Sequence, residues 1–200
     1  MPSSPSTSRI RALCVYCGSS NAVAPRHLAA ATELGRLAAG RGVEIVFGGG
    51  RVGLMGALAD GALAAGGRVT GIIPEHLRDL EVGHDGVSEM IVVDSMHARK
   101  RRMFERSDAF CALPGGIGTL DETFEIVTWK QLGLHDKPVV LVNLDGFWDP
   151  LLALLAHQLE AGYIRPQHAG LYRVVEGIES IFDALDAAPP PSHPADSERM

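Results

Sequence analysis

The sequence predicts an α/β fold in a single domain, a doubly wound parallel sheet with helices on both faces. Three observations predict it. Short runs rich in Val, Ile and Leu alternate with longer helical segments, the pattern of repeated βαβ units. The apolar runs show little polar alternation, which suits strands buried on both faces. Glycine-rich or polar turns follow three of these runs, at Gly18-Ser19-Ser20-Asn21, Gly48-Gly49-Gly50-Arg51-Val52-Gly53 and Gly115-Gly116-Ile117-Gly118. In an open α/β sheet such turns line one crevice at the carboxyl ends of the strands.

The strands are expected at 12–17, 43–47, 68–73, 90–93, 109–113 and 138–143, and the helices at 25–39, 54–65, 95–107, 119–132, 148–161 and 178–185. Between Pro74 and Glu89 the pattern is less regular. No internal repeat or domain linker interrupts the chain. The opening MPSSPSTS and the Pro-rich close PPPSHPADSERM lack the apolar content to fold, so disordered tails are expected at 1–8 and 187–200 around a domain at 9–186.

With 200 residues, 46% of them hydrophobic and 21% charged, a chain of this size can bury roughly 70% of its unfolded surface. A net charge of −6 argues against general nucleic-acid binding, which rests on a basic surface. Any phosphate must therefore be held locally. No apolar run reaches the ~18 residues of a membrane span, and the N-terminus lacks a signal-peptide core. No membrane partner is expected, and the cytoplasm is the expected location. Cys14-Val15-Tyr16-Cys17 has C-x-x-C spacing, but residues three apart on a strand face opposite sides, and Cys111 cannot complete a tetrahedral zinc site. Buried free thiols are expected, with no metal.

The most informative stretch is AFCALPGGIGTLDE, residues 109–122. A strand runs into a glycine turn that opens into a helix, and a helix N-terminus with unpaired N–H groups is a ready site for phosphate. Asp121 and Glu122 follow at once. Carboxylates beside a bound phosphate repel it, so they must either cap the helix or act on the ligand. Thr119-Leu120-Asp121-Glu122 also fits a capping box, with Thr at the cap and Glu reaching back. Both readings stand on local sequence alone.

Arg99-Lys100-Arg101-Arg102 reads first as a solvated charge run. Yet Met96, Arg99 and Met103 share one helix face, which carries Arg99 inward if the methionines face the interior, and turns Arg101 away. A guanidinium in a partly buried crevice needs a carboxylate or phosphate partner.

These residues resemble a known family. Met96-His97-x-Arg99-Lys100 and Pro114-Gly115-Gly116-x-Gly118-Thr119-x-x-Glu122 are similar to the signature of the LOG (Lonely Guy) proteins, cytokinin riboside 5′-monophosphate phosphoribohydrolases. Gly48-Gly49-Gly50, Gly53-Leu54-Met55-Gly56, Thr128-Trp129-x-Gln131-Leu132-Gly133 and His135-Asp136-Lys137-Pro138 extend the resemblance over about residues 11–185. It implies a Rossmann-like subunit that forms a homodimer, needs no metal or redox cofactor, and cleaves a purine nucleoside 5′-monophosphate to free base and ribose 5-phosphate. It implies Arg99 and Glu122 as the catalytic pair. Glu81, Lys100, Gly116, Ile117, Gly118, Thr119, Leu120, Asp121 and Thr128 are implied as substrate-binding positions, and Gly115 joins them as part of the same turn.

The chemistry fits those residue types. Breaking the C1′–N9 bond develops positive charge on the ribose, which an ionised Glu122 can stabilise while orienting water. An always-charged Arg99 can donate hydrogen bonds but hardly a proton. Three alternatives compete. A molybdenum-cofactor carrier would use similar glycine loops without consuming its ligand. An NAD-dependent oxidoreductase would explain Gly48–Gly53, with Glu75 as the ribose-binding acid. A lysine decarboxylase, a label such sequences have carried, would need pyridoxal phosphate on Lys100, Lys130 or Lys137.

Overall fold

The computed structural model describes residues 10–78 and 83–189. Strands β1 (Ala12–Tyr16), β2 (Glu44–Phe47), β3 (Val69–Pro74), β4 (Glu89–Val93), β5 (Ala109–Ala112), β6 (Val139–Val142) and β7 (Arg173–Val175) form one sheet in the order β4-β3-β2-β1-β5-β6-β7. Every neighbouring pair is parallel. The helices are α1 (Pro25–Gly40), α2 (Leu54–Ala64), α3 (Glu75–Arg78), α4 (Met96–Glu105), α5 (Ile117–Gln131), α6 (Asp149–Glu160) and α7 (Ile181–Asp186). The expected alternation is present, with β7 and α3 added. Residues 178–180 form a 3-10 turn ahead of α7 rather than part of it.

β1 shows why the sheet is wound on both faces. Leu13, Val15 and Cys17 join a core with α1, α2 and α7, where Leu34, Leu58 and Ile181 are fully buried. Ala12, Cys14 and Tyr16 point into the opposite layer, where Met103 and Phe104 of α4 meet Ile126 and Trp129 of α5. Cys14 and Cys17 thus lie in different cores, and all three cysteines are buried free thiols. Burial holds each thiol well above its ordinary pKa, so they are inert packing groups rather than nucleophiles.

The tail expected at 1–8 lies outside the described residues, as do 190–200 of the closing tail. At the boundary, the Ala187 and Ala188 amides donate to the Asp183 and Leu185 carbonyls at 3.0 and 3.1 Å. Among the described residues no helix is long and apolar enough to cross a membrane.

α6 departs from the layered pattern. It buries none of its residues fully: Leu151 and Leu152 pack in part against Leu141 and Trp148, while Leu154 is exposed. Between α5, α6 and the segment before β7 runs an apolar groove of about 200 Å³ lined by Phe124, Val127, Leu155, Ile164 and Tyr172. Leu132, just after α5, and Leu154 of α6 are 65% and 52% exposed.

His135 fastens α5 to β6. Its Nε2–H donates to the Ile126 carbonyl at 2.9 Å, and its Nδ1 accepts the Lys137 amide at 3.1 Å, a pairing that only the neutral ring can make. Burial, the dominant cause, lowers its pKa to about 4. The unfolded chain takes up this proton near pH 6.5 and the folded chain only near 4, so stability falls as pH drops through that window, by roughly 3 kcal/mol in all. In urea titrations, the loss between pH 7 and pH 4.5 is expected to be clearly smaller for His135→Gln than for the parent. Equal losses would mean that His135 does not drive the acid response.

Candidate active site

The sheet order reverses between β1 and β5, and at their carboxyl ends lies a cleft of about 250 Å³. It is walled by Gly18 and Ser19 after β1, Gly48 after β2, Arg99 from α4, and Gly116, Ile117, Gly118, Thr119, Asp121 and Glu122 from the start of α5. The three turns thus meet in one crevice.

α5 begins two residues before its expected start. Gly116 is its N-cap, with no side chain to satisfy the first amides, and the first ladder bond runs from the Leu120 amide to the Gly116 carbonyl at 3.0 Å. The amides of Ile117, Gly118 and Thr119 precede that ladder and open on the cleft, where dipole and donors together favour an anion. Thr119 sits inside the first turn, buried over Gly115, where an added Cβ would come within 2.1 Å of its Oγ1. The capping-box reading fails for that reason. Glu122 falls in the second turn and lines the cleft. Its charge reaches the end of β1, where it pushes up the Cys17 and Tyr16 pKa values already raised by burial.

The other glycine turn is closed. The Gly53 amide donates to Asn21 Oδ1 and the Leu54 amide to the Gly18 carbonyl, both at 2.9 Å, so neither can greet a phosphate. Gly53 has φ +69°, and a Cβ there would meet the Ser20 backbone at 2.5 Å. The G-x-G-x-x-G spacing therefore marks a brace between two loops. It also follows β2, one strand away from the reversal, and Glu75 is exposed outside the cleft. The dinucleotide reading loses its phosphate site.

Arg99 is carried inward as its helix phase predicts, and is only 4% exposed. Ser95 caps α4 by accepting the Ala98 amide. Arg99 Nε donates to the Ile72 carbonyl at 3.1 Å and Nη2 to the Gly48 carbonyl at 2.8 Å. Main-chain oxygens thus orient the guanidinium. Met96 differs from expectation: it is 37% exposed and lines the cleft instead of the core. Arg101 points away and pairs with Glu105 at 3.1 Å.

Gly48 is the most sensitive support of this arrangement. A Cβ there would stand 2.1 Å from Arg99 Nη2. Gly48→Ala is expected to shift the guanidinium by about an ångström and lower turnover by roughly 10- to 100-fold, with a lower melting temperature because the displaced guanidinium strains its bonds to the Ile72 and Gly48 carbonyls. Parent-like turnover in assay would show that the guanidinium position is not limiting.

Of the other candidate positions, Glu81 lies outside the described residues. Lys100 does not line the cleft; its Nζ pairs with Asp121 at 3.2 Å and Glu125 at 3.0 Å. Burial works to lower its pKa, but those two carboxylates raise it overall. Leu120 packs beside Trp148 and Leu141 on the far side of α5. Thr128 is exposed in the groove beside α6. Gly115 lies behind the turn, in an adjoining cavity with Ser19, His27 and Phe147. Ser19, Gly48, Met55, Leu77 and Met96 complete the walls without having stood out as site residues. The helix phase that turned Arg99 inward was the signal available for Met96, one turn earlier.

A pyridoxal phosphate enzyme needs a lysine facing its cleft. Lys130 Nζ donates to the Lys137 carbonyl at 3.0 Å, and Lys137 Nζ to the Phe104 carbonyl at 2.8 Å beneath the Phe104 ring. None of the three lysines lines the cleft, so the residues do not fit that cofactor.

Residues 55–185 match the family model described as "Possible lysine decarboxylase". The chain is 45% identical over 179 residues to a protein of Oryza sativa subsp. japonica named as a probable cytokinin riboside 5′-monophosphate phosphoribohydrolase, covering 90% of this chain and 79% of that one. An Arabidopsis thaliana protein named as a cytokinin riboside 5′-monophosphate phosphoribohydrolase is 40% identical over 183 residues, covering 92% and 80%. Among solved structures, the molybdenum cofactor carrier protein of Chlamydomonas reinhardtii superposes with a TM-score of 0.66 at 26% identity, covering 88% of this chain and 96% of that one.

Proposed function

The chain belongs to the LOG family of cytokinin riboside 5′-monophosphate phosphoribohydrolases, and from that premise we propose that it hydrolyses the N-glycosidic bond of purine nucleoside 5′-monophosphates. The products are free base and ribose 5-phosphate. One observation carries the reading: Glu122 and Arg99, from different helices, reach the cleft onto which the uncapped start of α5 opens.

The 5′-phosphate is assigned to the amides of Ile117, Gly118 and Thr119. Glu122 faces the anomeric carbon, where its charge stabilises the oxocarbenium-like state and directs water. Arg99 is assigned to orienting Glu122 and substrate. Phosphate binding converts remote contact energy into alignment of C1′. Incubation with AMP, followed by chromatography, should release adenine; intact AMP would favour a carrier. Adenosine, lacking the anchor, is expected to react with at least ~100-fold lower kcat/KM than AMP. Equal rates would remove the phosphate from the mechanism.

The carrier resemblance rests on 26% identity, against 40–45% to the named hydrolases. A carrier also has no evident use for an acid beside its phosphate site. The exposed Leu154 of α6, with Phe124 of α5 and Leu132 just after it, supports a homodimer. Thr128 opens onto the groove beside α6, so a substrate contact by Thr128 would require a second copy. Sedimentation showing only monomer at micromolar concentration would overturn both points. Three unpaired thiols support a reducing compartment such as the cytoplasm.

A further inference from the structure

The glycine turn after β2 supplies one of the two carbonyls that orient Arg99, yet it has little stiffness of its own. Gly48, Gly49 and Gly50 carry no side chains, so their backbone must be fixed from outside. Part of the support is β3, which stands so close that a Cβ on Gly71 would come within 2.8 Å of the Gly49 Cα. The rest comes from the segment ahead of β4. The Gly49 carbonyl accepts the His84 amide at 2.9 Å, and Gly50 pairs with Gly83 in an isolated antiparallel bridge. One peptide earlier, the Gly48 carbonyl holds Arg99 Nη2.

His84 fastens that segment, and its ring is buried at 5% exposure. Its Nδ1 accepts the Gly86 amide at 3.2 Å, which leaves the ring proton on Nε2, and Nε2–H donates to Asp60 Oδ1 of α2 at 2.9 Å. One side chain thus closes its own turn and ties it to a helix of the core. The Gly83 amide also donates to the Arg78 carbonyl at 3.1 Å, so the brace extends to α3. Neither His84 nor Asp60 lines the cleft. We propose that His84, held by Asp60, is a positioning residue for Arg99: it sets the Gly48-Gly49 turn, and through the Gly48 carbonyl the direction of the guanidinium. The inference rests on the hydrolase reading above.

The test is a double-mutant cycle on kcat for AMP, with Gly48→Ala as the second substitution. His84→Ala is expected to lower kcat roughly five- to tenfold in the parent, part of the loss that misplacing a catalytic group by about an ångström brings. In Gly48→Ala, where the guanidinium is already displaced, the same change should cost less than about twofold, because the two substitutions act through one contact. A merely structural role predicts equal factors in both backgrounds. Equal factors, or parent-like kcat in His84→Ala, would overturn the inference. If His84→Ala does not fold, Asp60→Ala carries the same cycle, since it removes the acceptor from an exposed side chain. Asp60→Asn retains Oδ1 as an acceptor and should recover most of that loss; equal losses in the two Asp60 variants would also overturn the inference. A parent that leaves AMP intact would sink the hydrolase reading itself, a result distinct from any pattern among the variants.

Discussion

Glu122→Gln is expected to lower kcat for AMP by at least ~100-fold, because the substitution removes the charge that the transition state needs and keeps the shape. Glu122 lies in the second turn of α5, past the capping positions, and is partly exposed in the cleft. Glu122 is therefore no helix cap, and the variant should still fold. Substrate affinity should not weaken either. The carboxylate lies one turn from the phosphate site, where its charge opposes the ligand, so KM is expected to stay level or fall. A folded variant that turns over at nearly the parent rate would refute the assignment.

Arg99→Ala is expected to cost a similar factor in turnover, and also to destabilise the protein. Removing the guanidinium strands the Ile72 and Gly48 carbonyls in a buried setting, at about 1–3 kcal/mol for unsatisfied buried groups. Arg99→Lys separates the two effects. A lysine ammonium retains charge and can reach one carbonyl, but lacks the planar fork that holds both while presenting another edge to the cleft. It should recover part of the stability and little of the turnover. Arg101→Ala, on the outward face beside Glu105, is the control and should stay within ~2-fold of the parent. Loss of activity in Arg101→Ala alone would mean that α4 is turned the other way in solution.

The sheet was legible because its central strands are continuous apolar runs, and the position of Arg99 because Met103 fixed the phase of α4. β7 escaped notice because Arg173–Val175 is a three-residue edge strand with Arg173 and Val174 exposed, too short for any periodicity. α5 starts at Ile117, with Gly116 as its N-cap; a glycine in the first turn reads locally as loop, which hid those two residues. The sealing of Gly53 by Asn21 spans 32 positions, and no local pattern reports such a contact. Lys100 shares a motif with Arg99 but emerges about a quarter-turn around the helix, where Glu125 and Asp121 claim it. Thr128 shares α5 with Glu122 but projects toward α6.

The bond from Asn21 to Gly53 bears on how this scaffold can be re-engineered. Grafting a dinucleotide fingerprint onto residues 48–53 would add nothing while that asparagine occupies the donor a pyrophosphate would need, and clearing it would unfasten the loop after β1 from the start of α2. New ligand chemistry is better sought by reshaping the floor and rim of the existing crevice than by reviving a second seat that the chain has already filled with its own side chain.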